Sequence, residues 1–316
     1  MGILKKLGQL VATVLLVTLF SAFLLTLLPG DLADIIVPFG TPQQRAQVRE
    51  DLRLDAPFPV QYGRWLGNFV QGDLGNFYNG PSSRRPVADT VKEALPKSLE
   101  LMLWAQIIAL VIAIPMGVIT AYKNGSALDR FSGLAGFAML AFPAFALGFV
   151  LQYFFGVKLG WLPTGGFVPA STSMSGHVKS MILPAVTLAV AQIAIYMRLL
   201  RSDMIQTLQQ DFILMAKAKG LSSKTVLFRH ALRPSSLTLL TVAGLNVGTL
   251  IGGALVVEVV YNIPGMGLQL AKAIGGRQPI AFQSMVAIIA ILYVLVNFAV
   301  DLLYTVLDPR IRNASN

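Results

Sequence analysis

Six runs of apolar residues dominate this sequence: Leu10–Leu28, Leu99–Tyr122, Phe131–Val157, Met181–Met197, Leu237–Val257 and Ile280–Leu303. About 20 apolar residues cross the hydrocarbon core of a bilayer as a helix. Within that core every backbone N–H and C=O must be paired inside the protein. Runs of this length, separated by polar connectors, predict an all-α integral membrane protein with six transmembrane helices. Composition agrees, since 55% of the 316 residues are hydrophobic and 13% are charged, against about 25% charged in a soluble domain. The first run follows Lys5 and Lys6 as a signal peptide would. Its length and its Leu28-Pro29-Gly30-Asp31 ending lack a small-residue cleavage pattern, so it reads as a retained helix.

Cysteine is absent, which excludes disulfides, thiol catalysis and cysteine-bound metal. His177 and His230 lie too far apart for a metal-binding spacing. The net charge of +10 reads as topology and not as a nucleic-acid surface, because the excess sits beside the apolar runs. Lys5, Lys6, Lys123, Arg130, Arg310 and Arg312 flank the spans on one side. Between the fourth and fifth runs stand Arg198, Arg201, Lys217, Lys219, Lys224, Arg229 and Arg233 against Asp203 and Asp211. The positive-inside rule places all of these in the cytoplasm, with both termini. Residues 30–97, with eight acidic and eight basic residues, fall outside.

The chain thus divides into an N-terminal end and first helix (1–29), an extracytoplasmic segment (30–97) and a transmembrane domain (98–316). In the outer segment, Pro38, Pro42, Pro57, Pro59, Pro81 and Pro86, with Gly72 and Gly75, mark turns. Between them Gln43–Leu54 and Val60–Val70 read as amphipathic helices, the second with Tyr62, Trp65 and Phe69 on one side. An ordered cap between helices 1 and 2 is expected. The later outer connector, Leu159–Lys179, reads as irregular.

The cytoplasmic segment 202–235 carries the functional signal. Phe212, Met215 and Ala216 stand at i, i+3 and i+4 and form one apolar stripe on a helix, with Lys217 off the stripe and Lys219 flanking it. Gly220 is placed as a left-handed C-cap. Ser222 can cap a second helix, with Leu221 and Val226 as its hydrophobic staple. Pro234 should stop or kink that helix. A short basic helix with an apolar stripe fits a groove on a partner protein or lies on anionic lipid.

Ala216-Lys217-Ala218-Lys219-Gly220-Leu221 and His230-Ala231-Leu232-Arg233 resemble the cytoplasmic signature of permease subunits of binding-protein-dependent ABC importers. Within these, the chain resembles the dipeptide/oligopeptide/nickel permease family. Leu28-Pro29-Gly30-Asp31, Leu54-Asp55-Ala56-Pro57, Gly72-Asp73-Leu74-Gly75, Leu183-Pro184-Ala185, Pro264-Gly265-Met266-Gly267 and Asp308-Pro309-Arg310 extend the likeness over almost the whole chain. Leu214 and Met215 replace the glutamate and alanine that open the broader importer signature, Leu214 also replaces an arginine frequent in this subfamily, and Arg233 stands where the general signature has proline.

The resemblance implies a non-catalytic subunit that pairs with a homologous second permease. It implies two cytoplasmic ATPase subunits or domains, which bind the ATP and Mg, and an extracytoplasmic substrate-binding protein. It makes the elbow a coupling helix, with Asp211, Phe212, Met215, Ala216, Lys217, Ala218, Lys219, Gly220 and Leu221 at the ATPase-docking site. Glu258, ahead of the Pro264-Gly265 turn, reads equally as part of an outer gate or as the end of a helix. Asp301 reads as a pathway residue or as a charge paired near the inner surface. No catalytic residue, metal or cofactor is expected on this chain, and its other contacts are membrane lipid. The alternative is an ion-coupled secondary transporter, which needs ionisable groups near mid-membrane; Glu100, Glu258 and Asp301 all fall near span ends.

Overall fold

The computed structural model describes residues 3–27, 31–37, 40–52, 54–78 and 83–307. Pro29, Gly30, Pro38, Pro81, Asp308, Pro309, Arg310 and Arg312 lie outside the described residues, as do the side chains of Lys5, Lys6 and Asp301. In chain order the elements are α1 (Ile3–Thr26), α2 (Leu32–Ile36), α3 (Pro42–Leu52), α4 (Phe58–Val70), β1 (Asn76–Tyr78), β2 (Arg84–Pro86), α5 (Val87–Tyr122), α6 (Ala127–Ala141) and α7 (Ala144–Leu151). There follow α8 (Met174–Leu208), α9 (Asp211–Ala218), α10 (Ser223–Thr225), α11 (Leu232–Tyr261), α12 (Met266–Gly275) and α13 (Pro279–Leu307). Two π-helical stretches, Gln152–Lys158 and Val226–Ala231, extend α7 and join α10 to α11. The chain forms two units, one of residues 1–98 with 263–298, the other of 99–262 with 299–316.

Four helices among the described residues are long and apolar enough to cross a membrane: Val87–Tyr122, Met174–Leu208, Ser223–Tyr261 and Pro279–Val300. The third apolar run is not one straight helix. It breaks into Ala127–Ala141 and Ala144–Lys158, bent by 104°, and counts as a fifth span if the pair crosses together. The break has a local cause. Pro143 pushes the preceding residue out of the helical region, and Phe142 is extended at φ −82°, ψ 121°. The described apolar part of α1 is the shorter Leu10–Thr26.

In the first unit, Asp31 caps α2 by accepting from the Ala33 N–H at 2.9 Å. Arg49 pairs with Asp31 and Arg45 with Asp34, which holds α3 beside α2. Ala33, Ile36, Val37 and Val48 form a small buried core, with Leu54 and Tyr78 packed on it. Along α4, Phe58, Tyr62, Trp65 and Phe69 stack in sequence at centroid spacings of 6.3, 5.8 and 5.1 Å. Each such contact contributes about 0.5–1.5 kcal/mol beyond area burial. Tyr62 bonds Thr18 of α1 at 3.0 Å and Trp65 donates to Ser284 of α13 at 2.9 Å. The hairpin β1–β2 was not legible in the sequence. Gln278 completes it like a neighbouring strand, accepting from the Tyr78 N–H at 3.0 Å and donating to the Tyr78 carbonyl at 2.9 Å.

In the second unit α8 is the central helix, packed against α6, α7 and α11. Its buried His177 lies 2.6 Å from Glu100 and 2.8 Å from the Val168 carbonyl, which pins the irregular stretch 159–173. Residues 174–179, expected in that connector, already belong to α8. Arg201 grips Asp129 at the start of α6 through two bonds of 2.5 and 2.7 Å and reaches Asn124 at 3.0 Å.

Candidate docking site

The elbow lies wholly within the second unit. α9 is eight residues long, far below the roughly 12–15 needed for an isolated helix to persist in water. Its order therefore comes from packing and caps. Ile213 is fully buried and Ala216 nearly so, and the helix packs against α8 and the π-helical turn Val226–Ala231. Val226, Leu227 and Ala231 are buried on the other side of that contact. Burying a side chain of isoleucine size supplies about 1.5–3 kcal/mol.

The C-terminus of α9 closes in a Schellman motif. Gly220 sits at φ +76°, its N–H bonds the Lys217 carbonyl at 2.9 Å, and the Leu221 N–H bonds that of Ala216 at 3.3 Å. Only glycine adopts this backbone without a Cβ penalty. Ser222 then caps α10, accepting from the Thr225 N–H at 3.3 Å. Asp211, in the first turn of α9, complements the helix dipole, as Lys217 does in the last.

What this leaves outward is an apolar step. Phe212 is 47% exposed and Met215 58% exposed, with Leu214 exposed beside them. Asp211, Lys217, Ala218, Lys219, Gly220 and Leu221 are exposed as well. Ala216 is the exception and corrects the expected stripe. At i+3 from Ile213 it shares the inward face, so Phe212 and Met215 form the outer pair without it. Ile213, the anchor, was missed in the sequence. Its signal was the same i, i+3 spacing, read one residue out of phase.

The expected gate residues divide between the two units. Glu258 is fully buried on α11, and its backbone carbonyl accepts from the N–H of Asn262, a left-handed C-cap at φ 53°. Pro264 and Gly265 lie in the first unit. Gly265 precedes α12, whose first N–H, on Met266, donates to Ser98 Oγ at 2.8 Å. The side chain of Asp301 is among those not described.

Family comparison decides what such an elbow belongs to. Residues 113–313 match the family described as binding-protein-dependent transport system inner membrane component. Residues 2–102 match the N-terminal region described for membrane components of the same systems. This chain belongs to that permease family. Its similarity to individual members spans nearly full length. A probable peptide ABC transporter permease protein of Sinorhizobium fredii is 36% identical, with 98% of each chain covered. The oligopeptide transport system permease protein AppB of Bacillus subtilis is 37% identical over 93% of this chain and 94% of its own. The di/tripeptide transport system permease protein DppB of Pseudomonas aeruginosa is 36% identical over 98% of each.

Among solved structures, inward-facing MetNI, a methionine ABC transporter, matches with a TM-score of 0.57 at 17% identity. The match covers 69% of this chain and 96% of that one, and at such identity it speaks for the fold. The permease is thus a multi-pass inner-membrane subunit of an ABC transport system, without catalysis of its own. Membership in this family sets aside the ion-coupled alternative.

Proposed function

We propose that this permease carries dipeptides or short oligopeptides inward, and that α9 is where a cytoplasmic ATPase grips it. The cargo reading rests on the peptide-transport names of its full-length relatives. The docking reading rests on one observation: Phe212, Leu214 and Met215 project from a helix held rigidly from behind by Ile213 and Ala216. A short helix presenting apolar anchors suits a groove on a partner protein. In this reading six helices cross the membrane, both termini are cytoplasmic and the segment 30–97 caps the outer face. A homologous permease completes the pathway, two ATPases supply the drive, and a binding protein delivers cargo. ATP-driven closure of the ATPases then biases the permease pair between two states.

The test is Phe212→Asp in proteoliposomes containing the whole transporter. Phe212 is outward-facing, so insertion and assembly of the permease pair should match wild type. Cargo-stimulated ATP hydrolysis should fall to the unstimulated rate. Unchanged stimulation overturns the docking role.

A further inference from the structure

In the second unit the irregular stretch 159–173 is tied to three helices. Gln152, in the π stretch that extends α7, donates to the carbonyls of Thr164 at 2.6 Å and Val260 at 3.0 Å. The Gly166 N–H bonds the carbonyl of Tyr261, the last residue of α11, at 2.7 Å. The third tie is to the start of α8. There the His177 ring lies 2.8 Å from the Val168 carbonyl through Nδ1 and 2.6 Å from Glu100 of α5 through Nε2. Phe167 stands edge-on to that ring, with 5.4 Å between centroids. The Val168 N–H reaches Ser180 Oγ only at 3.4 Å, so the ring is the shorter hold on this part of the stretch.

The two contacts of His177 fix its protons. A carbonyl oxygen only accepts, so Nδ1 must carry a hydrogen. A neutral imidazole has one N–H. With it on Nδ1, the Nε2 lone pair would face an ionised carboxylate at 2.6 Å. The contact therefore needs a second hydrogen, on Nε2 as an imidazolium or on Glu100 as a carboxylic acid. In both forms the proton belongs to the pair, which holds one more than a separate carboxylate and neutral imidazole. His177 is 5% exposed, but the Glu100 side chain is 35% exposed, so that proton exchanges with water through the carboxylate. A state that binds an extra proton loses ground as pH rises. Once the proton leaves, one N–H serves two acceptors. The bond to the carboxylate is about twice as strong as one to a neutral carbonyl, so Val168 is released.

The surroundings offer few competing groups. The stretch 159–173 contains no Asp, Glu, His, Lys or Arg. Lys97 stands one turn before Glu100 on α5, the exposed Lys179 lies just beyond His177 on α8, and Lys158 lies over the Phe154 ring. Lysines keep their charge between about pH 5 and 8, where histidine changes. α11 brings one acid, the buried Glu258, a turn before Tyr261.

We propose that His177 and Glu100 form a proton-held latch: the proton they share fastens the stretch 159–173 to α8 at Val168, and its loss as pH rises lets the stretch go. The latch lies apart from the elbow and goes beyond the docking and cargo readings. It sets how firmly this stretch joins α7, α8 and α11.

The test exploits the absence of native cysteine. Ala170→Cys, exposed in the stretch, carries a nitroxide in the whole transporter, its partner subunits freed of cysteine, in nanodiscs. Both membrane faces meet the buffer, so the result is independent of orientation, cargo and ATPase contact. Between about pH 5.5 and about pH 8.5 the mobile fraction of the spectrum should rise several-fold. A label at Ala127→Cys, exposed at the start of α6, should not respond. Glu100→Gln should keep the Ala170 label immobilised throughout. Its amide donates to Nε2 and leaves the Nδ1 hydrogen to Val168, with no dissociable proton. His177→Leu should leave the label mobile at both extremes. An unchanged wild-type spectrum, or equal responses at the two labelled positions, overturns the latch. So does a wild-type response in E100Q, which would point to Glu258, or a label in H177L held at alkaline pH as firmly as wild type at acid pH. Should H177L fail to assemble, wild type and E100Q decide.

Discussion

Replacing Gly220 tests the elbow quantitatively, because its cost is confined to the backbone. A Cβ built there meets no atom within 4 Å, so Gly220→Ala introduces no clash. What remains is the penalty of holding an alanine at φ +76°, about 1–2 kcal/mol. Asparagine visits this region more readily, so Gly220→Asn should cost less than Ala. Gly220→Pro fixes φ near −65° and removes the N–H that bonds the Lys217 carbonyl at 2.9 Å, at about 3 kcal/mol or more. An eight-residue helix cannot absorb such losses alone. Each 1.4 kcal/mol shifts a folded-to-open ratio about ten-fold. Hydrogen exchange of the α9 amides, followed by mass spectrometry in nanodiscs, reads that ratio. Protection should fall in the order Gly, Asn, Ala, Pro, with Ala several-fold and Pro more than a hundred-fold below wild type. Cargo-stimulated ATP hydrolysis should fall in the same order. Equal protection across the series, or loss in Ala as deep as in Pro, would refute the role given to the left-handed cap.

Ile213→Ala should destabilise the elbow by about 2–4 kcal/mol through the cavity it leaves, seen as lost α9 protection with the outward Phe212 still in place. Asp129→Asn should cost about 2 kcal/mol, less than the 3–5 kcal/mol of a fully buried pair, because the Arg201 side chain is 30% exposed. Thermal unfolding should show it, and little further loss on adding Arg201→Leu would confirm that one interaction is being read twice.

Hydropathy picked out the four long apolar helices, but not their ends. α5 begins at Val87, twelve residues before its apolar run, because Asp89, Lys92, Glu93 and Lys97 belong to the same helix without being apolar. α8 likewise starts at Met174 and runs through Pro184. The aromatic side of α4 was readable, since its spacing is helical. The strands β1 and β2, three residues each, are too short to show alternation. At the elbow, glycine and serine announced the caps correctly, because capping is local chemistry. Which apolar residues face in and which face out was not local. It depends on α8 and on the turn behind α9, and so Ala216 was assigned to the wrong face. The Arg201–Asp129 grip spans 72 positions and left one sequence trace, the Ser126-x-x-Asp129 spacing of a helix start.

Pro234 shows how the elbow is joined to the span that follows. A proline here lacks an N–H and its ring crowds the carbonyl four residues earlier, so a stop or kink was expected. The chain instead continues from Ser223 to Tyr261 as one helical stretch of 39 residues. The turn before the proline is widened to the π form over Val226–Ala231, with the Leu232 N–H bonding the Leu227 carbonyl, five residues back. Side chains take up nearby backbone acceptors. Ser235 donates to the Ala231 carbonyl at 3.0 Å and also meets Thr207, at the end of α8, at 2.9 Å. Ser236 donates to the Arg233 carbonyl at 2.9 Å. A stop at Pro234 would have placed a hinge between α9 and the fifth apolar run. The widened turn leaves the helix unbroken there, about 60 Å of chain at 1.5 Å per residue, with α9 packed on the π turn near its foot. Under the proposed docking, displacement of Phe212 reaches the fifth apolar run through packed side chains and an unbroken run of helix.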